Sequence, residues 1–353
     1  MPQTKPASKN QKRRAPAGAI SRPRAPAGKQ IVVSGVKPSG MLHLGNYLGM
    51  LKNALALAKN PVYETLYFIA DYHALTQNYD PAEKERDIAG LATDLLALGL
   101  DPKTSTLFIQ SHVPAHANLA WLLGTLTSTG KLGNMIEYKE KVAEGHTPNT
   151  GLFTYPILMA ADILIYNAAF VPVGEDQLQH LELAREIARA FNNRFGALFH
   201  EPQALLTETT RVMSLDNPTK KMSKSLPKGC IFVADIPETI RTKVRSAVTD
   251  SGKEIVYDPK KKPALSNLLA IYAEVSGEPI EKIVSRHRNA GYAEFKLRLA
   301  EAIAQAFAPF RKKREKLIED RASVVKTFRE GSKRASKIAE ATLASAKKRM
   351  GLI

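Results

Sequence analysis

Three lysines and two serines crowd the segment Asp216-Asn217-Pro218-Thr219-Lys220-Lys221-Met222-Ser223-Lys224-Ser225, which opens on an Asn-Pro turn and closes at Leu226-Pro227-Lys228-Gly229. Ammonium groups at this density cannot be buried unneutralised, so the segment is a loop and not a core strand. Lysines on flexible stems act as movable point charges for phosphate oxygens, and small serines add hydroxyl donors while letting the backbone come close. On composition alone a solvated basic surface loop fits as well. A second pair, His43 and Asn46, stands three residues apart in Met41-Leu42-His43-Leu44-Gly45-Asn46-Tyr47-Leu48-Gly49. On a helix both project from one face toward one ligand, and Gly45 and Gly49 leave room for a flat base against the backbone. Taken alone, the pair reads as a helix start with a half-buried histidine.

A third candidate is Asp162, a carboxylate inside Gly151-Leu152-Phe153-Thr154-Tyr155-Pro156-Ile157-Leu158-Met159-Ala160-Ala161-Asp162-Ile163-Leu164, a run otherwise suited to burial. Such a group is costly unless something donates to it. It is either an internal cap or partner of a core arginine, or the acceptor for an apolar ligand carrying one N–H, of which an indole ring is an example. Tyr155 and Met159 precede it on the same helix face.

These residues need elements to position them. Ile31-Val32-Val33-Ser34 is a short apolar strand, Gly35 to Gly40 a turn-rich loop, and a helix follows to about Lys59. Strand, Gly-rich loop and helix N-terminus is the layout that turns backbone N–H groups toward phosphate. The strand Thr65 to Asp71 runs into Tyr72-His73-Ala74-Leu75-Thr76, placing His73 at a carboxyl end, where open parallel sheets bind ligands. An amphipathic helix over 81–100 and a strand over 104–110 continue the alternation that predicts a parallel sheet with right-handed crossovers. Ala115 to Leu126 reads as a packed helix, with the single tryptophan, Trp121, in the core or at a subunit interface. Glu137 to Lys141 has helical spacing and a solvated face. Val171 to His180 is a strand entering a polar helix start. Gly174-Glu175-Asp176-Gln177 suits a helix N-terminus and also gathers groups able to hold an α-ammonium and a ribose. Beyond Cys230, helices over 236–248 and 262–308 precede a basic helical tail, Arg311 to Arg349.

Chance supplies a given pentapeptide such as Lys221-Met222-Ser223-Lys224-Ser225 in only about one in ten thousand chains of this length. The segment resembles the nucleotide loop of the class I aminoacyl-tRNA synthetases. That family pairs the loop with a His followed three residues later by His or Asn near the start of a Rossmann-type domain. His43-Leu44-Gly45-Asn46 supplies the second motif, with Asn46 where many members carry a second His. The surroundings of His43, His73, Asp162, Gln177 and the lysine loop are similar to the tryptophan-specific members in order and spacing. The likeness extends through Ser246 to Asp250, Ser266 to Leu269 and Gly331 to Lys333, and covers the chain from about Ile31 onward.

The resemblance implies an α/β fold: a Rossmann-type parallel-sheet catalytic domain over 31–230 and an all-helical anticodon-binding domain over 231–353. It implies that Asp162 accepts the indole N–H of L-tryptophan, with Ala70, His73, Met159 and Val171 walling the pocket. Tyr155 and Gln177 would hold the amino-acid ammonium or carboxylate. Lys141, Lys221 and Lys224 would hold the ATP phosphates with Mg²⁺ bound through them, and His43 and Asn46 would act where the adenylate forms. The ATP site would further include Lys37, Pro38, Ser39, Gly45, Gly174, Asp176, Met222, Ser223 and Ser225, with no protein-held metal. Tryptophan-specific tRNA is the implied partner, and a cytoplasmic homodimer the implied assembly. An occupant lacking an N–H would leave Asp162 unpaired, the basis for rejecting phenylalanine. Lys37 departs from the Gln of many relatives, and Ile136-Glu137 from a frequent Thr-Gln; both flank the pocket.

Bulk properties agree with this reading. The chain of 353 residues carries a net charge of +17, which calls for a polyanionic partner, and its 44% hydrophobic content is ordinary. One cysteine, Cys230, excludes an internal disulfide or a multi-cysteine zinc site. No run is long and apolar enough to cross a membrane. Met1 to Gln30 holds eight Lys/Arg and no acid, and repeats Arg-Ala-Pro-Ala-Gly; it is expected to be a disordered basic arm. A transit peptide is the rival, opposed by the prolines and the lack of an amphipathic face. The competing functions are a tyrosine-specific relative, a non-catalytic RNA-binding protein, which would show damaged motifs, and a nucleotidyltransferase without tRNA.

Overall fold

The computed structural model describes residues 28–145, 147–206, 211–224 and 226–352. The expected basic arm up to residue 27, and Ser225, lie outside the described residues.

The chain begins with β1 (Gln30–Val36). Helix α1 (Leu44–Asn46) then passes through a π turn at Tyr47–Leu51 into α2 (Lys52–Lys59). β2 (Tyr63–Ile69), α3 (Pro81–Leu98) and β3 (Ser105–Ile109) follow. Next come α4 (Ala115–Gly124), α5 (Thr129–Gly133), α6 (Ile136–Ala143) and α7 (Thr150–Leu164). β4 (Phe170–Val173), α8 (Leu178–Phe195) and β5 (Gln203–Leu206) complete the sheet; β5 goes beyond the strands expected from the sequence. After them lie α9 (Pro237–Arg245), α10 (Pro263–Ser276), α11 (Ile280–His287), α12 (Tyr292–Ala306), α13 (Ala308–Glu319) and α14 (Arg321–Arg349).

All strands are parallel, in the order β3-β2-β1-β4-β5. The order reverses between β1 and β4, so a crevice opens at their carboxyl ends, the place where such sheets receive ligands. Successive side chains on a strand face opposite ways. Leu66 and Phe68 therefore join the core under α4, α7 and α8, while Tyr67 and Ile69 join the one shared by α3 and the later helices. Burial on both faces explains why these strands read as unbroken apolar runs.

Helix α14 returns across β3. Gly331 permits the crossing, since a Cβ there would sit 1.7 Å from the Leu107 carbonyl oxygen. Arg314 Nε, 2.6 Å from Asp94 Oδ1, fastens α13 to α3. At Trp121 the expectation of a core position is corrected: α4 forms, but the indole is 77% exposed. The buried face of that helix carries Ala115, His116, Leu119, Leu122 and Leu123, and Trp121 lies outside it. No helix among the described residues is long and apolar enough to cross a membrane.

Candidate active site

A cavity of about 490 Å³ lies at the carboxyl ends of β1, β2 and β4, at the switch point of the sheet. Gly35 at the end of β1 forms part of its wall because the Phe68 ring packs there; a Cβ would meet Phe68 Cζ at 2.5 Å. Ala70, His73, Tyr155, Met159, Asp162, Val171 and Gln177, the residues expected to hold an amino acid, all line this cavity. Lys37, Gly174 and Asp176 from the expected nucleotide set line it too.

Asp162, on the buried helix α7, is 2% exposed. Its Oδ1 lies 2.8 Å from Gln110 Nε2 and 2.6 Å from His116 Nδ1, and its Oδ2 lies 2.7 Å from His73 Nε2. Burial pushes its pKa up, but hydrogen bonds from His116 and His73 outweigh burial and hold it below the usual carboxylate range. With the carboxylate ionised, both imidazoles donate to it, and His116 Nε2 also lies 2.7 Å from the Tyr166 hydroxyl. The expectation that an occupant without an N–H leaves this carboxylate unpaired is corrected: three protein donors already hold it. Oδ2, with one of them, keeps a lone pair for a further N–H.

Across the cavity the Tyr155 hydroxyl lies 2.7 Å from His180 Nε2, and Glu137 Oε2 is 3.7 Å from the same nitrogen. Burial raises the Tyr155 pKa, and the Glu137 charge adds to it. Lys37 Nζ stands 5.7 Å from the centre of the Tyr155 ring. Its side chain opens to the cavity, yet desolvation by the surrounding protein lowers its pKa, with Glu137 opposing. The two departures from the commonest pattern, Lys37 and Glu137, thus face the same tyrosine with complementary charge.

The His43–Asn46 spacing has a local cause. His43 is the N-cap of α1, the Asn46 N–H donates to His43 Nδ1 at 3.3 Å, and the His43 N–H donates to Asn46 Oδ1 at 3.2 Å. This is a reciprocal capping box, which requires a separation of three. Burial, with Lys224 nearby, lowers the His43 pKa to about 4. The neutral ring accepts at Nδ1, so Nε2 carries the proton and is a donor for an anion. Gly45 is needed beside it, since a Cβ there would lie 3.0 Å from His43 Nδ1 and 3.7 Å from Met222 Cβ.

The lysine loop closes against this corner. Lys224 Nζ bonds the Ser39 carbonyl and, at 3.1 Å, the Ser39 hydroxyl. Burial lowers its pKa, Asp87 opposing. Pro38 and Met222 are buried, Ser223 is half-buried, and Lys221 is exposed. Lys141 is not among the cavity residues; its Nζ lies 2.8 Å from Glu144 Oε2. Sequence reasoning missed Gln110, His116, Tyr166 and His180. Their signal was present, as polar groups beside apolar runs at a strand end or in a packed helix, but such groups reveal no partner until the fold brings them together.

The family of class I tRNA synthetases (W and Y) matches residues 26–308, and the chain belongs to that family. Its relatives include the tryptophan–tRNA ligase of Caldanaerobacter subterraneus, 46% identical over 325 residues, 91% of this chain and 98% of that protein. Among solved structures, the tryptophanyl-tRNA synthetase of Mycoplasma pneumoniae superposes with a TM-score of 0.81 at 34% identity, over 92% of this chain and 99% of that one. The enzyme of Campylobacter jejuni complexed with ADP and tryptophan gives 0.80 at 34% identity, over 92% and 100%.

Proposed function

We propose that this chain acts as a tryptophan–tRNA ligase. The observation that carries the proposal is the buried Asp162 carboxylate at the wall of the switch-point cavity, held by His73, Gln110 and His116 with acceptor capacity left on Oδ2. An apolar ring with one N–H satisfies that acceptor, and Met159, Ala70 and Val171 supply the apolar wall. The near full-length likeness to tryptophan-specific relatives supports the same substrate. Tyr155 and Gln177 hold the α-ammonium, and Lys37 faces the carboxylate end.

ATP enters over the first loop, with His43 Nε2, the α1 backbone and the lysine loop on its phosphates. A tryptophan carboxylate oxygen attacks the α-phosphorus, the bond to the β-phosphate oxygen breaks, and tryptophanyl-adenylate and pyrophosphate form. A hydroxyl of the tRNA terminal ribose then attacks the acyl carbon and releases AMP. No protein nucleophile is needed; positioning and stabilisation of developing phosphate charge supply the acceleration. Mg²⁺ bound through the triphosphate would supply neutralisation of charge on its oxygens. With oxygen ligands drawn from phosphate and water, it would ask no dedicated cluster of the protein. Lys221, Lys224 and Lys141 would share that charge.

The proposal includes the division at 230/231, with the helical part receiving the tRNA anticodon arm, a cytoplasmic setting, and a homodimer in which exposed Trp121 meets the second copy. ATP-dependent charging of bulk tRNA with labelled tryptophan tests it. Tryptophan and not tyrosine is expected in the acid-precipitable product. Charging with tyrosine would keep the chemistry and overturn the pocket assignment.

A further inference from the structure

The lysine loop is a two-armed turn with Lys221 on one arm opposite Met213 on the other. The arms pair through the neighbours of these residues. The Ser214 N–H donates to the Lys220 carbonyl at 2.8 Å, and the Met222 N–H donates to the Val212 carbonyl at 3.0 Å. In such a pair the N–H and C=O of Met213 point away from Lys221, to where a next strand would lie. One side chain from α10 takes both groups. The Met213 N–H donates to Asn267 Oδ1 at 2.9 Å, and Asn267 Nδ2 donates to the Met213 carbonyl at 3.1 Å. A primary amide presents a donor and an acceptor side by side as a peptide group does, and Asn267 is 8% exposed. A second tie runs nearby, from the Val248 N–H to the Leu215 carbonyl at 2.8 Å.

We infer that Asn267 is a positioning residue for the ATP reaction, hanging the lysine loop on α10 so that the helical part of the chain sets where Lys221 and Lys224 meet the phosphates. Asn267 reaches neither the cavity nor the His43 corner; it acts through the backbone of Met213. A shift of α10 moves the outer arm, and the paired inner arm with Lys221 follows. Events at the helical part thereby reach the triphosphate with no contact between them. The inference rests on the ligase reading, and its test keeps the two apart.

Wild-type ATP–pyrophosphate exchange with tryptophan is measured first, and its absence would strike the ligase reading itself. Asn267→Ala and the isosteric Asn267→Asp, which cannot donate to the Met213 carbonyl, are then compared with it. Both should lower kcat/KM for ATP on the order of 10- to 100-fold, as misplacement of a charge-bearing group does. Tryptophan affinity by equilibrium dialysis should stay within about twofold, because the cavity does not use Asn267. Wild-type ATP parameters in either folded variant overturn the inference, as does a tryptophan affinity that falls in step with ATP. If Asn267→Ala does not fold, Asn267→Asp, with the same shape, carries the test alone.

Discussion

Inside helix α7 a carboxylate is held at Asp162 by an amide and two imidazoles. Three donors fix its orientation, so under the proposed function selectivity would arise from placement of the remaining lone pair and not from a vacant carboxylate. Asp162→Asn keeps the shape but weakens the acceptor and disturbs the donors around it. In pyrophosphate exchange its preference for tryptophan over phenylalanine should drop on the order of 10-fold or more, with KM for ATP little changed; an unaltered preference contradicts the assignment. His43 makes a pH prediction. Its folded pKa of about 4 lies below the ordinary 6.5, so between these values the unfolded chain binds a proton that the folded chain does not. Its contribution to stability is whole above pH 6.5 and is lost as pH falls toward 4. Denaturant midpoints should fall more steeply over that window for the wild-type chain than for His43→Asn, which keeps an N-cap acceptor without titrating. Parallel curves contradict this. The sequence shows that Asp162 needs donors, because charge and apolar neighbours are local facts. It does not show which donors, because His73, Gln110 and His116 come from distant segments.

The elements divide along the same line. The α1 start was legible because a capping box is set by residues three apart, and the lysine loop because its charge forbids burial. β5 escaped notice because Gln203-Ala204-Leu205-Leu206 is short and only half covered, with neither alternation nor a long apolar run. α14 was legible as a basic helix, but its task was not: in sequence Gly331 is only a weak helix former. In the fold its missing Cβ lets the helix lie on the β3 backbone. Gly331→Ala would place a methyl 1.7 Å from the Leu107 carbonyl oxygen, a backbone atom. The change should cost about 3 kcal/mol or more in urea unfolding, since helix or strand must shift. An unchanged midpoint would contradict the packing of α14 on the sheet.

On the scale of the whole molecule, strand order brings the pieces of the site together. The reversal between β1 and β4 sets His73, Asp162 and Gln177 around one cavity, and the fold-back of the loop over Ser39 sets Lys224 beside His43. The α/β alternation foretold a parallel sheet, whereas the return of α14 across β3 is a long-range packing choice with no local mark. Trp121 bears on assembly. The Trp121 indole, 77% exposed on α4, is apolar area that the proposed subunit contact would remove from water. Trp121→Glu should move sedimentation toward the monomer, while a mass unchanged from wild type would take this face out of the subunit contact. Activation of tryptophan in the switch-point cavity is read from pyrophosphate exchange on the wild-type protein with tryptophan, tyrosine and phenylalanine side by side. Exchange with tryptophan alone is the predicted result; exchange with tyrosine in its place, or none at all from folded protein with Mg²⁺ and ATP, would contradict it.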